Sequence, residues 1–319
     1  MKLLYNKDNE LLEGKIMDIT AYFEKGCRLC PRMCNAYRFN DEKNTSFCRA
    51  GSDISAARAS LHFWEEPCLS GDKGSGTIFF SGCPLRCEFC QNREISHTLK
   101  GKLISFERLC EIFFELKSQG AHNINLVSPT PYIPHIVNAI ELAKKKGFDL
   151  PFVFNSSGYE RAESLKMLDG LIDIYLPDFK YMSSELAQKY SLAANYPEVA
   201  KNALDEMVKQ CMVPQFDRDG MMKKGVIVRH LVLPGNTEDS KAVIGYLYGT
   251  YKDKIYLSIM SQYTPTGELN HPELCRKITT EEYDEVVDFA VDLGVTQGFL
   301  QEGDSAEESF IPIFDMRGI

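Results

Sequence analysis

The stretch Thr77-Ile-Phe-Phe-Ser-Gly-Cys83-Pro-Leu-Arg-Cys87-Glu-Phe-Cys90 decides how the rest of this sequence is read. Its first four residues are an apolar, β-rich run of strand length. The loop that follows spaces Cys83, Cys87 and Cys90 as C-x3-C-x2-C. Such a loop can wrap three corners of an iron–sulfur cubane. Soft thiolates suit these clusters, and a fully protein-ligated electron-transfer cluster takes four of them, so three leave one iron for a small molecule. Structural zinc wants four protein ligands, which this loop does not supply.

Outward from this loop, short β-rich runs alternate with longer amphipathic ones, the rhythm of successive βα units and hence of a parallel sheet. After the first strand, a helix is predicted from about Ser105, with Leu109, Ile112, Phe113 and Leu116 as one stripe and Gly120 as its stop. Strands are expected at Asn123 to Val127 and near 151–155, 172–176, 225–232, 255–259 and 298–301, each after a helical pattern of ten or so residues. The last helix opens on Thr279-Thr-Glu-Glu282, a capping box, and ends at Gly294. The fold class is α/β, with a partial or full (β/α) barrel favoured over an open doubly wound sheet.

In either architecture the loops at the carboxyl ends of the strands converge on one face, where chemistry belongs. That brings together Ser81-Gly-Cys83, Ser128-Pro-Thr130, Asn155-Ser-Ser-Gly158, Asp178-Phe-Lys180, Arg229-His230 and Ser258. Residues 1–70 show no strand rhythm and read as a small cysteine-rich, metal-binding segment packed on a barrel of residues 71–319. The boundary falls at the glycine-rich Gly71-Asp-Lys-Gly-Ser-Gly76.

The triad and its surroundings resemble the radical S-adenosylmethionine (SAM) superfamily, whose motif carries an aromatic residue just before the third cysteine; Phe89 stands there. His62-Phe-Trp-Glu-Glu-Pro67, Gly74 to Gly82 and Cys90-Gln-Asn92 look more narrowly like radical SAM proteins labelled "pyruvate formate-lyase activating enzyme related", from about residue 20 to the C-terminus. The resemblance implies a [4Fe-4S] cluster on Cys83, Cys87 and Cys90, with SAM chelating the open iron and Phe89 near its adenine. It implies one-electron cleavage of the sulfonium to methionine and a 5′-deoxyadenosyl radical, fed by a low-potential donor such as flavodoxin or ferredoxin.

Further contacts are implied more loosely. Relatives have Gly-Gly-Glu after the second strand; this chain has Ser128-Pro129-Thr130, so backbone groups there can meet the methionyl amine while the glutamate is missing. Asn155 and Ser157 read either as ribose or carboxylate ligands or as loop punctuation. Asp178-Phe-Lys180 resembles the Asp-x-Lys of glycyl-radical-enzyme activases, where the pair lies beside SAM. Arg229 reads as a carboxylate partner through its planar fork, and His230, by alternation, as a packing residue.

Cys27, Cys30, Cys34 and Cys48 form a second group, C-x2-C-x3-C-x13-C, enough for zinc or a complete auxiliary Fe–S cluster; spacing does not separate the two. Isolated Cys110 and Cys211 read as buried hydrophobes. Cys68 is left open between a ligand, a radical-site thiol and burial.

Clustered cysteines and the absence of a signal-like start place the protein in the reducing cytoplasm. Its net charge of −9, from 36 basic and 45 acidic residues, argues against nucleic acid, and no long apolar run argues for a membrane. The expected substrate is a polypeptide, as for an activase or peptide-modifying enzyme. The extra cysteines precede the triad, whereas glycyl-radical activases place theirs after it, so pyruvate formate-lyase itself is not expected and a small molecule stays open. The alternative is a non-catalytic iron–sulfur or zinc protein that carries electrons or scaffolds a complex. The segment Gln301 to Ile319, with Glu302, Asp304 and Asp315, reads as a substrate lid or as closure of the barrel bottom.

Overall fold

The computed structural model describes residues 17–39, 45–265, 269–301 and 312–319. Its centre is one sheet of β1 (Ile54–His62), β2 (Ser75–Phe80), β3 (Lys102–Ile104), β4 (Ile124–Val127), β5 (Phe152–Ser156), β6 (Ile174–Pro177), β7 (Gln215–Phe216), β8 (Met222–Leu231), β9 (Tyr256–Met260) and β10 (Gly298–Leu300). The order is β10-β9-β8-β6-β5-β4-β2-β1-β3, with β7 paired to β8 outside this path. From β2 through β10 the neighbours along it are parallel. No pairing joins β3 to β10 among the described residues. Of the barrels the sequence admits, this is the partial one.

Every residue of β2, β4, β5 and β6 is buried, as expected of parallel strands covered on both faces. The helices that cover them follow the sequence closely. Phe106–Ser118 is capped by the Ser105 hydroxyl, which accepts from the Arg108 amide at 3.3 Å, and buries Leu109, Ile112, Phe113 and Leu116. Thr280–Leu293 carries the full capping box of Thr279 and Glu282 and stops at Gly294 in the left-handed region.

Two expectations are corrected. The region before residue 71 does contain a strand: β1 pairs antiparallel with β2, Ala59 opposite Ile78 and His62 opposite Ser75, so the sheet runs back across that point. Its sequence, ISAARASLH, is small and polar because a neighbouring segment covers it. The Met316 amide bonds Ala57 O at 2.8 Å, the Ala59 amide bonds Arg317 O at 2.8 Å, and Phe314 packs edge-on against Phe79. Residues 313–317 thus cover β1, tied also by the Arg58–Asp315 ion pair at 3.0 Å, while Gln301 and Pro312 reach the cavity described below. Glu302 and Asp304 lie outside the described residues.

The second correction concerns the crossover from β5 to β6, which has only the turn Ala162–Leu165 and a 3-10 turn at Lys166–Leu168 in place of a long helix. The cysteine segment lies here instead. Ser164 Oγ donates to Leu29 O at 2.7 Å, Arg161 Nη1 donates to Arg28 O at 2.6 Å, and Met167 packs on Phe23, Cys27 and Leu29.

Candidate active site

Register places the site. Phe79, Val127 and Asn155 lie side by side on β2, β4 and β5, and Asp178 bridges to Arg229 of β8, so the loops after these strands leave the sheet at one edge. There they enclose a cavity of about 500 Å³. Cys83, Cys87, Phe89, Cys90, Ser128, Asn155, Ser157, Asp178, Lys180 and Arg229 all line it, whereas Pro129 does not: it opens the 3-10 turn Thr130–Tyr132.

Each thiol of the triad has a hydrogen-bond partner. The Leu85 amide donates to Cys83 Sγ at 3.4 Å, Ser191 Oγ donates to Cys87 Sγ at 3.1 Å, and Cys90 Sγ lies 3.3 Å from Ser96 Oγ. Burial first, then the neighbouring Cys87 and Cys90 thiols, push the Cys83 thiol up; burial and Cys87 do the same to Cys90. Thiols such as Cys83 and Cys90 that resist ionisation beside a third sulfur are the situation a bound cation relieves, because a metal deprotonates its thiols outright. Among the described residues, no three of His, Cys, Asp and Glu are grouped tightly enough for a single metal ion. The donor set and its shared cavity fit a larger cluster with a further ligand. Phe89 packs edge-on against Tyr263, with ring centroids 6.1 Å apart.

The opposite wall is a charge network. Arg229 donates through Nε to Asp178 Oδ1 at 3.0 Å, through Nη1 to Glu65 Oε2 at 3.1 Å and through Nη2 to Asn155 Oδ1 at 2.6 Å. Lys180 Nζ binds Asp178 Oδ2 at 2.7 Å. Burial pushes the Asp178 carboxyl up, but Lys180 and Arg229 together outweigh it and hold the group below its usual range. Burial pulls Lys180 and Arg229 down, and Asp178, the first partner of both, raises each overall. Asn155 also gives its amide to Glu65 Oε1 at 3.3 Å, so its side chain is engaged in this network, while the buried Ser157 Oγ has no partner.

Ser128 sits at φ 58°, a left-handed conformation that a serine adopts at some cost. Two hydroxyls beside the site, Thr130 Oγ1 and Ser156 Oγ, bind Glu160 at 2.9 and 3.0 Å. Burial raises Glu160 to about 7. His230 is buried, does not line the cavity, and binds Phe179 O through Nδ1 at 2.7 Å. Burial lowers it to about 4, and its Nε2 has no partner.

The sequence reading assigned no role to Glu65, Glu66, Asn125 or Glu160. Glu65 and Glu66 stand in a quoted motif but ahead of the strand rhythm that supplied the register. Asn125, whose amide binds Glu65 Oε1 at 2.9 Å, did carry a signal: a polar residue in an otherwise apolar strand.

The second cysteine group lies against the triad loop. Gly82 has φ 86°, and a Cβ there would come within 2.7 Å of Cys48 O, so only glycine fits. Arg32 Nε donates to Pro84 O at 2.9 Å and Arg86 Nη2 to Phe47 O at 2.8 Å. Cys27 and Cys34 share a hydrogen bond that raises the first and lowers the second to about 5, while burial pushes Cys30 up to about 12. Arg38, buried and with no carboxylate partner among the described residues, donates to Cys27 Sγ at 3.8 Å and to the carbonyls of Ala50 and Pro131. Cys68 is buried with Leu69, Val153 and Ile174 and does not line the cavity.

The Radical SAM superfamily model matches residues 77–247, more than half of the chain. An uncharacterized protein of Methanocaldococcus jannaschii is 29% identical over 298 residues, 90% of this chain and 80% of that protein. Among solved structures, Streptococcus suis SuiB bound to S-adenosylmethionine is similar with a TM-score of 0.48 and 11% identity, covering 70% of this chain and 49% of SuiB. The chain therefore spans about half the length of that protein. A domain of pyruvate-formate lyase-activating enzyme from Bacteroides vulgatus gives a TM-score of 0.41 and 12% identity over 57% of this chain and 100% of the domain. By the family match over its parallel strands and their loops, the chain belongs to the radical SAM superfamily and is an enzyme of that superfamily.

Proposed function

We propose that Cys83, Cys87 and Cys90 hold the [4Fe-4S] cluster that membership of this family implies, and that SAM occupies the cavity they line. When bound, the two together supply one-electron cleavage of a carbon–sulfur bond and abstraction of hydrogen from a substrate. Ser128 presents backbone to the methionyl amine, Ser157 offers its free hydroxyl, and Asp178, Lys180 and Arg229 form a charged wall for ribose and carboxylate. Asn155 acts within that wall by orienting Arg229. Phe89 covers the adenine side. The observation that carries the reading is that three hydrogen-bonded thiols line the same cavity as these polar groups.

The substrate is a polypeptide in this reading, as for the activases and peptide-modifying enzymes that the sequence resembles, and a low-potential flavodoxin or ferredoxin supplies the electron. Cys27, Cys30, Cys34 and Cys48 hold a second metal centre in the segment that precedes the barrel. The buried Arg38 supports this: its guanidinium lies beside Cys27, where a thiolate would answer its charge. Among the described residues no helix is long and apolar enough to cross a membrane.

Anaerobically reconstituted protein given SAM and dithionite is expected to release 5′-deoxyadenosine, and a Cys87→Ala variant is not. Wild-type protein that retains its cluster and releases none would overturn the assignment.

A further inference from the structure

The segment that joins β1 to β2 enters β2 at the end opposite the cysteine loop, and it brings two adjacent carboxylates to the cavity. Glu65 is fully engaged by Arg229, Asn125 and Asn155. Glu66 is not. Its residue is only 8% exposed, it lines the cavity, and its Oε2 has no hydrogen-bond partner. Among the described residues, the Ser258 hydroxyl on β9 is the side-chain donor that faces it.

Charge sharpens the contrast. The cations of this wall, Arg229 and Lys180, are matched by Asp178 and Glu65, each through a direct contact. Glu66 has no direct contact with either cation: burial disfavours its charge most, Arg229 nearby offsets part of that, and Glu65 beside it adds repulsion. A buried carboxyl in this state either keeps its proton or gains by meeting a cation that lets it ionise. The same cavity is lined by the apolar Trp64, Leu231, Leu233, Met260 and Phe299. A cavity that combines apolar walls with a buried acid suits an aliphatic stem that ends in a positive nitrogen.

We propose that Glu66 is a specificity-determining residue that receives a protonated amine or guanidinium of the substrate, whose aliphatic stem lies along the apolar lining. The site thus takes a lysine- or arginine-like group, on a peptide or free. This inference rests on the assignment of the cavity as the active site.

The test uses n-butylammonium chloride as the probe and n-butanol as its neutral counterpart, titrated by calorimetry at pH 7 into reconstituted protein. Trp64 lines the cavity and is the chain's single tryptophan, so its fluorescence reports whether the probe enters here. Wild type is expected to bind the ammonium about tenfold more tightly than the alcohol and to change its fluorescence on binding, the range expected for a charge-assisted hydrogen bond. Glu66→Gln should lose that preference, and Glu66→Asp should keep part of it. Equal binding of the two probes by wild type, or an undiminished preference in Glu66→Gln, overturns the inference. The wild-type comparison does not depend on any variant folding. Release of 5′-deoxyadenosine from the same preparation is scored separately: release without ammonium preference removes this inference alone, whereas preference without release upholds the subsite and removes the catalytic assignment.

Discussion

Glu65 and Arg229 stand 164 positions apart in the chain and 3.1 Å apart in the fold. Their contact ties the segment between β1 and β2 to β8, and both side chains are largely buried, at 9% and 16% exposure. Removing one member of such a pair strands the other charge in a poor dielectric, which costs about 3 kcal/mol. Glu65→Ala is expected to lower the urea midpoint by that order. Glu65→Gln should lose less, since an amide of the same shape still offers an oxygen to Arg229. Equal stability of Glu65→Ala and wild type would show the contact to be energetically idle.

The alternation from β2 onward was legible in the sequence because parallel strands covered on both faces are uniformly apolar, and their helices carry caps and stripes that local physics dictates. Phe79, Val127 and Asn155 therefore fall in register much as strand ends alone suggest. β1 was hidden because Ala57 and Ala59 pair with the far end of the chain, a contact over some 260 positions that leaves no periodic trace. Glu65 and Glu66 were unreadable for the same reason: nothing local to them indicates that they enter the cavity. Cys83, Cys87 and Cys90 stand out, since one loop carries the whole constellation, whereas Asn155, legible either as a ligand or as loop punctuation, owes its place to contacts with the distant Arg229 and Glu65.

Ser191 donates to Cys87 Sγ and is itself met by the Tyr181 hydroxyl at 2.8 Å. A donor aimed at a cluster sulfur stabilises the extra electron of the reduced state. Ser191→Ala removes about 1 kcal/mol of that stabilisation and should move the midpoint potential about 40 mV more negative. An EPR-monitored redox titration reads the shift directly. An unchanged potential in a fully loaded variant would mean that Cys87 does not ligate the cluster or that the hydroxyl does not face it.

Glu160 supplies a pH dependence of known sign. Burial outweighs the two hydroxyl donors and raises its carboxyl from 4.5 to about 7, so between these values the folded chain holds a proton that the unfolded chain has released. Stability from this group is fully present below pH 4.5 and is lost as pH rises through about 7. The whole interval corresponds to about 3 kcal/mol. Wild type should lose roughly that much more stability than Glu160→Gln between pH 5 and pH 8, as followed by urea midpoints. Parallel profiles for the two proteins would show that the buried carboxyl does not titrate in this range.

Gly158 closes the loop after β5 against the end of β6. It has φ 74°, and a Cβ there would lie 2.1 Å from Asp178 O and 3.0 Å from the Tyr196 hydroxyl, which itself bonds the carbonyls of Ser157 and Asp178. Neither a side chain at this φ nor a backbone contact that short is tolerated, so Gly158→Ala must drive the loop off the strand end. The loss of stability should exceed about 2 kcal/mol, more than the roughly 1 kcal/mol of an ordinary left-handed alanine, because a backbone carbonyl cannot swing aside as a side chain would. The same displacement carries Ser157 and Asp178 apart, so SAM affinity of the folded fraction should fall by about tenfold or more, measured by calorimetry below the unfolding midpoint. A variant that loses stability but binds SAM as wild type does would separate the two effects and show that the loop after β5 is not part of the SAM-binding surface.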